Sequence, residues 1–352
     1  MRKVAIISIN GTANAGGVER VVEQQVRILH SVANVRVFSL PRNGLVGMLR
    51  QWRLVNLIVS LLFCMGSSIS ARLWAGSKGV VISHGFSSIG LGCDLVIAHG
   101  CWASYIERTN QKKGGFGFLI HASEMMAAHL AQSVGAVSDS VKEQWCKYYK
   151  MNPHKAFIQM NSIDPAVFFA REGARNPCEG KPYRVLFVGR FERGKGAVFL
   201  SALHEEMGTT LSDFEVVICS PTKVSEEDMR RLPRFRFLSG LSSSEIAMEL
   251  NSADLFLLPS LYEGFELSTI ESLACGTPVL LNDTGTRSTL ERLGCPGLFR
   301  IECATSGLNA LQSAAAGFNG LKRLQLSQWA HRHFDGQESI ERLIRFCRSS
   351  ES

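Results

Sequence analysis

Asp254-Leu-Phe-Leu-Leu-Pro259-Ser-Leu-Tyr-Glu263-Gly264-Phe265-Glu266-Leu267-Ser268-Thr269-Ile-Glu271-Ser-Leu-Ala-Cys-Gly276-Thr-Pro278-Val-Leu-Leu-Asn282 reads as strand, turn, helix and strand. Asp254–Leu258 and Pro278–Asn282 are short apolar runs without polar alternation, as expected of strands covered on both faces. Ser268 and Glu271 have the spacing of a capping box, which predicts a helix beginning at Ser268 and stopping near Gly276, with Pro278 beyond. Strand, helix and strand in this order are the repeating piece of a parallel sheet.

The same alternation extends through the 352-residue chain. Lys3–Ile9, Val35–Leu40, Gly79–Ser83, Asp94–Ala98 and Ala156–Met160 read as one set of buried strands, separated by helical-period stretches. After the polar segment Arg171–Pro182 the pattern restarts with Arg184–Val188, Glu215–Cys219, Arg236–Leu238 and the two strands above. The restart predicts two Rossmann-like α/β domains, residues 1–175 and 176–335, followed by a C-terminal helix in 336–352.

Ten scattered cysteines include no Cys-x-x-Cys pair and no Cys/His cluster at zinc spacing, which points to reduced thiols and a cytoplasmic protein. Residues 1–9 are too short an apolar run, ending in a glycine-rich turn, to read as a secretory leader. Charge is divided unevenly. Residues 1–170 hold 17 Lys and Arg against 8 Asp and Glu, whereas residues 171–352 hold 21 against 23. A basic first half favours phosphate-rich or anionic-membrane partners. Within it Leu54–Ser70 is nearly all apolar and bracketed by Arg50, Arg53 and Arg72. It is short for a membrane span, and reads either as a helix packed on the sheet or as an interfacial helix at a membrane surface.

A helix that starts after the carboxyl end of a parallel strand presents free amides and the positive end of its dipole, a setting for a diphosphate. From the residues alone Glu271 is equally well a cap, and Glu263 a solvated loop carboxylate. Val188-Gly189-Arg190-Phe-Glu-Arg193-Gly-Lys195-Gly196 adds two cations across a turn that can converge on one anion. Near the front, Gly16-Gly17-Val18-Glu19-Arg20 follows a strand and opens a helix. It is neither a P-loop nor a Gly-x-Gly-x-x-Gly fingerprint, so a nicotinamide enzyme lacks its phosphate motif.

Glu263 and Glu271, with seven residues between them in a Glu-Gly-Phe context ending Cys-Gly-Thr-Pro-Val, resemble the Glu-x7-Glu signature of retaining GT-B glycosyltransferases, specifically glycosyltransferase family 4. Arg190 and Lys195 resemble that family's Gly-Arg-x4-Lys-Gly pair, and Gly-Gly-Val-Glu-Arg its first-domain loop. The resemblance implies two Rossmann-like domains facing across a cleft and transfer of a sugar from a nucleotide-sugar donor. It implies Glu263 at the donor sugar, Glu271 on the ribose, and Arg190, Lys195, Gly16, Gly17 and the amides around Phe265, Leu267, Ser268 and Thr269 at the diphosphate. It also aligns a donor-sugar histidine with His99 in preference to His84, which has a similar Ser-His-Gly setting. Glu266, where the family often has Gly, and Asn282-Asp-Thr-Gly-Thr-Arg287 depart from the pattern.

No Asp-x-Asp metal site is apparent, so no cofactor or metal is expected. The expected acceptor is a glycan or lipid-linked molecule of lipopolysaccharide or surface-polysaccharide assembly at the cytoplasmic membrane face. A non-catalytic nucleotide- or glycan-binding protein of the same fold is the alternative, and no basic, aromatic-studded element indicates a nucleic-acid partner.

Overall fold

A computed structural model describes residues 1–12, 16–41, 48, 51–111, 114–172, 182–208, 213–302, 306–317 and 322–349. Arg50, Cys178, Cys303, the Arg53 side chain and most of the linker expected between the domains lie outside the described residues. The chain divides into two compact units, Met1–Asn161 with Gly336–Ser352, and Ser162–Asp335.

The first unit runs β1 (Arg2–Ile7), α1 (Gly17–Leu29), β2 (Ala33–Phe38), α2 (Arg53–Ala75), β3 (Val80–His84) and β4 (Leu95–Ala98). It continues with α3 (Trp102–Thr109), α4 (Gly115–Leu130), β5 (Ser133–Ala136), α5 (Asp139–Tyr149) and β6 (Ala156–Ile158). The second unit contains β7 (Tyr183–Val188), α6 (Ala197–Glu206), β8 (Phe214–Ser220), α7 (Glu226–Arg231), β9 (Arg236–Ser239) and α8 (Ser243–Ser252). It is completed by β10 (Leu255–Leu258), α9 (Leu267–Ala274), β11 (Val279–Leu281), α10 (Gly285–Arg292), β12 (Leu298–Arg300), α11 (Gly307–Gly317) and α12 (Arg323–Phe334). The last helix, α13 (Gln337–Ser349), clusters with the first unit.

Both sheets have six strands, ordered β2-β1-β3-β4-β5-β6 and β12-β11-β10-β7-β8-β9, and every adjacent pair is parallel. The central strands are apolar because helices cover both their faces: Val4–Ile7, Val80–Ile82, Val185–Phe187 and Leu255–Leu257 have no measurable exposure. β5, Ser-Val-Gly-Ala, and the edge strand β12 are additional to the strands expected.

The units separate at Asn161/Ser162, ahead of the break expected near residue 175. Composition marked the polar linker, but residues 162–171 already pack within the second unit. Ile163 is fully buried and its N–H donates to the Phe334 carbonyl at 2.9 Å, while the Arg171 N–H donates to Asn251 Oδ1 at 2.9 Å. At the far end α13 is tied to the first unit by Gln159 Nε2 donating to the Ser339 carbonyl at 2.9 Å and Arg342 Nη1 to that of Ile158 at 2.6 Å.

α2 is longer than the segment read from Leu54 to Ser70, and by length and composition it could cross a membrane, although its most apolar stretch is only 28% buried. Its polarity is turned around. Ser60, Cys64, Ser67, Ser68, Ala71 and Ala75 are the buried positions, whereas Leu54, Ile58, Leu62, Met65, Ile69 and Leu73 are exposed, Leu73 by 80%. Small side chains let the helix approach β1 and β3 closely and leave its large apolar groups to solvent.

A single glycine governs how two loops of the second unit meet. Gly196 has φ +94°, and a Cβ there would lie 2.5 Å from the Pro259 carbonyl oxygen, so only glycine lets the turn after β7 rest on the chain leaving β10. Gly196→Ala is expected to destabilise the protein by about 1–3 kcal/mol. A fall in the urea midpoint at unchanged slope would register this loss, and an unchanged midpoint would mean the contact is slack.

Candidate active site

In the second sheet the chain builds outward from β7 to β9 and then returns to β10 on the other side of β7. Connections leaving the carboxyl ends of β7 and β10 therefore part in opposite directions, and such a switch point is where open α/β sheets bind ligands. The loop after β7 carries Arg190 and Lys195, and the loop after β10 carries Glu263 and Glu266. The Leu261 N–H donates to the Gly194 carbonyl at 3.0 Å, joining the two loops. Lys195 Nζ then meets Glu263 Oε1 at 2.5 Å, with 26% and 12% of the two side chains exposed. Arg190 is held elsewhere: its Nη2 is 3.1 Å from Glu192 Oε1, and 59% of its side chain is exposed.

The capping box is not formed. α9 begins at Leu267, its N-cap is Glu266, and no side chain caps its first turn. Ser268 thus falls inside the helix, and Glu271, a full turn further on, is 2% exposed. The Ser-x-x-Glu spacing is present, but Glu266 is drawn into a buried cluster that puts the N-cap at Glu266, two residues ahead of Ser268. Its carboxylate accepts Thr269 Oγ1 at 3.0 Å, Thr284 Oγ1 at 3.2 Å and Thr286 Oγ1 at 2.5 Å, while its own N–H donates to Thr286 Oγ1 at 3.0 Å. Thr284 is at the same time the N-cap of α10, accepting the Arg287 N–H. Glu266 therefore straps together the starts of α9 and α10. The Phe265 side chain is a core group, packed edge-on to Phe334 with centroids 5.9 Å apart, whereas Leu267 and Ser268 are half-buried at the helix start.

Burial, followed by the nearby Glu263 carboxylate, pushes the Glu266 carboxyl up to about 7. A carboxyl whose folded-state value is raised contributes stability that is fully present below its unfolded value and is lost as pH rises towards 7. Glu266→Gln cannot ionise. Its melting temperature relative to the parent chain is expected to rise between pH 5 and pH 8, and a difference that stays constant between these pH values would show that Glu266 does not titrate there.

The first sheet has its switch point between β1 and β3. Gly16 is the N-cap of α1, and a Cβ there would strike Glu19, whose carboxylate folds back over the helix start and accepts Asn10 Nδ2 at 2.8 Å. Gly17 faces open space. His84 ends β3 and His99 follows β4, the neighbouring strand, and the two rings touch: His84 Nδ1 and His99 Nε2 are 3.0 Å apart. The turn bearing His99 is braced from behind. Trp145 Nε1 donates to the Gly100 carbonyl at 2.7 Å, and Glu124 accepts both the Trp102 N–H at 2.8 Å and the Tyr149 hydroxyl at 2.7 Å. Burial raises the Glu124 carboxyl to about 7.

The structure thus brings Lys195 to Glu263, adds Glu266 beneath them, and adds His84 to His99. Arg190 and Lys195 have different carboxylate partners, Glu192 and Glu263. Sequence flagged Glu266 as a departure but not its three threonine partners, two of which lie in the Asn-Asp-Thr-Gly-Thr turn, and it weighed His84 as a competitor of His99. Among the described residues no group of three or more His, Cys, Asp or Glu is placed to hold a metal ion.

Two doubly wound parallel units with charged loops at the carboxyl edges of their sheets define the GT-B class. Over 99% of this chain and 98% of the other, the structure superposes on sucrose-phosphate synthase from Thermosynechococcus elongatus with a TM-score of 0.78 at 18% identity. It superposes on WaaG, a glycosyltransferase involved in lipopolysaccharide biosynthesis, with a TM-score of 0.70 at 15% identity over 98% of this chain and 100% of that one. Residues 182–303, which lie within the second unit, match the family model described as Glycosyl transferases group 1. Alpha-maltose-1-phosphate synthase of Mycobacterium tuberculosis is 27% identical over 184 residues, 46% of this chain and 46% of that protein. The chain spans about half the length of the curated relatives it matches.

Proposed function

We propose that this chain is a retaining glycosyltransferase that moves a sugar from a nucleotide-sugar donor to a glycan or lipid-linked acceptor. The observation that carries the reading is the Lys195–Glu263 pair beside the uncapped first turn of α9. Breaking the bond between the anomeric carbon and phosphate leaves positive charge on the sugar and negative charge on the diphosphate, and a catalyst must meet both. A bound diphosphate competes with Glu263 for Lys195. The lysine passes to the phosphate, and the released carboxylate turns to the sugar hydroxyls.

In this reading Arg190 leaves its exposed partner Glu192 and becomes the second cation. Amides of Phe265, Leu267, Ser268 and Thr269, with those of Gly16 and Gly17, receive phosphate oxygens. Glu271 takes the ribose hydroxyls and His99 a hydroxyl of the donor sugar. The acceptor hydroxyl attacks the anomeric carbon on the face the phosphate leaves, and the departing phosphate accepts its proton. Cations and helix amides supply the positive charge a divalent metal would bring, so turnover persists in chelator.

The proposed acceptor belongs to lipopolysaccharide or related surface-polysaccharide assembly at the cytoplasmic membrane face. The exposed apolar face of α2, the basic front half of the chain and the likeness to a lipopolysaccharide glycosyltransferase favour a protein working on an anionic membrane surface.

Thermal shifts with UDP, GDP, ADP and CMP identify the donor base, since a nucleotide at a hundred times its dissociation constant adds about 2.7 kcal/mol. Sugar derivatives of the stabilising nucleotide then serve as donors. Glu263→Gln should lower turnover roughly 100- to 1,000-fold while leaving the nucleotide-induced shift in place. Parental turnover in this variant would remove Glu263 from the mechanism, and no turnover of any donor by the parent chain would favour a binding protein. Sedimentation with phosphatidylglycerol vesicles should fall by about tenfold in Leu62→Glu/Leu73→Glu, whereas equal sedimentation would remove α2 from the membrane contact.

A further inference from the structure

The two histidines at the carboxyl edge of the first sheet form a pair with one exit. Their nitrogens are 3.0 Å apart, their ring planes are only 20° from parallel and their centroids are 5.2 Å apart. Nitrogens so close with centroids so far apart require the rings to meet edge to edge in nearly one plane, the geometry of an N–H···N bond. The outer ends differ. His84 is 1% exposed and its Nε2 is buried with no hydrogen-bond partner, whereas His99 is half-buried and no described residue meets its Nδ1.

Burial holds both rings neutral at pH 7, with His99 depressed to about 4 and His84 well below the ordinary imidazole value. Each ring then carries one proton, and one of the two must donate to the other. If His99 Nε2–H donated, the His84 proton would sit on Nε2, an N–H sealed from water with nothing to accept it. If His84 Nδ1–H donates, the orphan at His84 Nε2 is a lone pair. Buried N–H groups without a partner are much rarer than under-used acceptors, so the second arrangement is favoured.

We propose that His84 is a positioning residue that donates from Nδ1 to His99 Nε2, fixing the ring plane of His99 and forcing its proton onto the outward nitrogen, Nδ1. His99 then presents an N–H donor to whatever lies before it. In the proposed reaction this makes it a neutral donor to a hydroxyl oxygen of the sugar. It is not a proton acceptor for the attacking hydroxyl, because its outer nitrogen has no lone pair to offer. That consequence rests on the reading of His99 as the donor-sugar contact. The proton assignment does not.

Long-range 1H–15N correlation spectra of the full chain labelled at histidine report which ring nitrogen is protonated, with the two signals assigned through His84→Asn and His99→Asn. Between pH 6 and 8 His99 should show the Nδ1–H pattern. His84→Asn keeps an amide donor where Nδ1 stood and should preserve that pattern. His84→Phe keeps a planar ring but no donor, and should let His99 move towards the Nε2–H form. In turnover, Phe should lose at least about tenfold in kcat with the nucleotide-induced thermal shift unchanged, and Asn should recover most of it. An Nε2–H pattern at His99 in the parent chain overturns the proposal whether or not the variants fold, as does an unchanged pattern in a folded His84→Phe. If the spectra agree and no nucleotide sugar is turned over, the histidine assignment stands and the glycosyltransferase reading fails.

Discussion

The carboxylate of Glu263 and the ammonium of Lys195 are held against each other with little access to water, and the architecture of the second unit is organised around that contact. Neither group reaches the other through its own strand. The pair exists because β7 and β10 are neighbours at the switch point, because Gly196 allows the turn after β7 to rest on Pro259, and because the Leu261 amide ties the two loops together. An ion pair in such a place is a reservoir of charge. Removing either partner without supplying a substitute leaves a poorly solvated ion, whereas a ligand bearing both an anion and hydroxyl groups can satisfy each partner separately.

Glu266 gives this pair its foundation. A carboxyl sunk among three threonine hydroxyls fixes where α9 and α10 begin, and burial and the nearby Glu263 carboxylate raise it to about 7. The arrangement exchanges backbone freedom at the loop for a defined direction of the helix amides. The first unit follows the same logic in different chemistry, since Glu19 folds back over the start of α1, and Glu124, Tyr149 and Trp145 brace the turn that carries His99.

α2 illustrates how a correct reading of composition can leave orientation open. Its apolar residues nearly encircle the helix, so periodicity alone does not choose a buried face. What chooses it is size: serines, Cys64 and alanines fit the close approach to β1 and β3, and Leu54, Ile58, Leu61, Leu62, Met65, Ile69 and Leu73 are left outside. An outward apolar face on a sheet-packed helix is a standing cost in water, which a membrane surface would relieve.

Sequence alone determined the two doubly wound units, because uninterrupted apolar runs such as Val185–Phe187 and Leu255–Leu258 can be buried only as central parallel strands, and glycine at 276 ends a helix by local conformational preference. It also indicated Lys195, Glu263 and His99, through the resemblance of the segments that carry them to those of known glycosyltransferases. Short strands such as Ser133–Ala136 carry too little apolar signal to be read alone, and they are strands because they pair with neighbours already in place. The start of α9, the pairing of Lys195 with Glu263, the threonine partners of Glu266 and the contact of His84 with His99 were decided by tertiary structure alone. Local spacing specifies backbone conformation over a few residues, whereas the partner of a buried charge or imidazole is set by which strands the sheet places side by side.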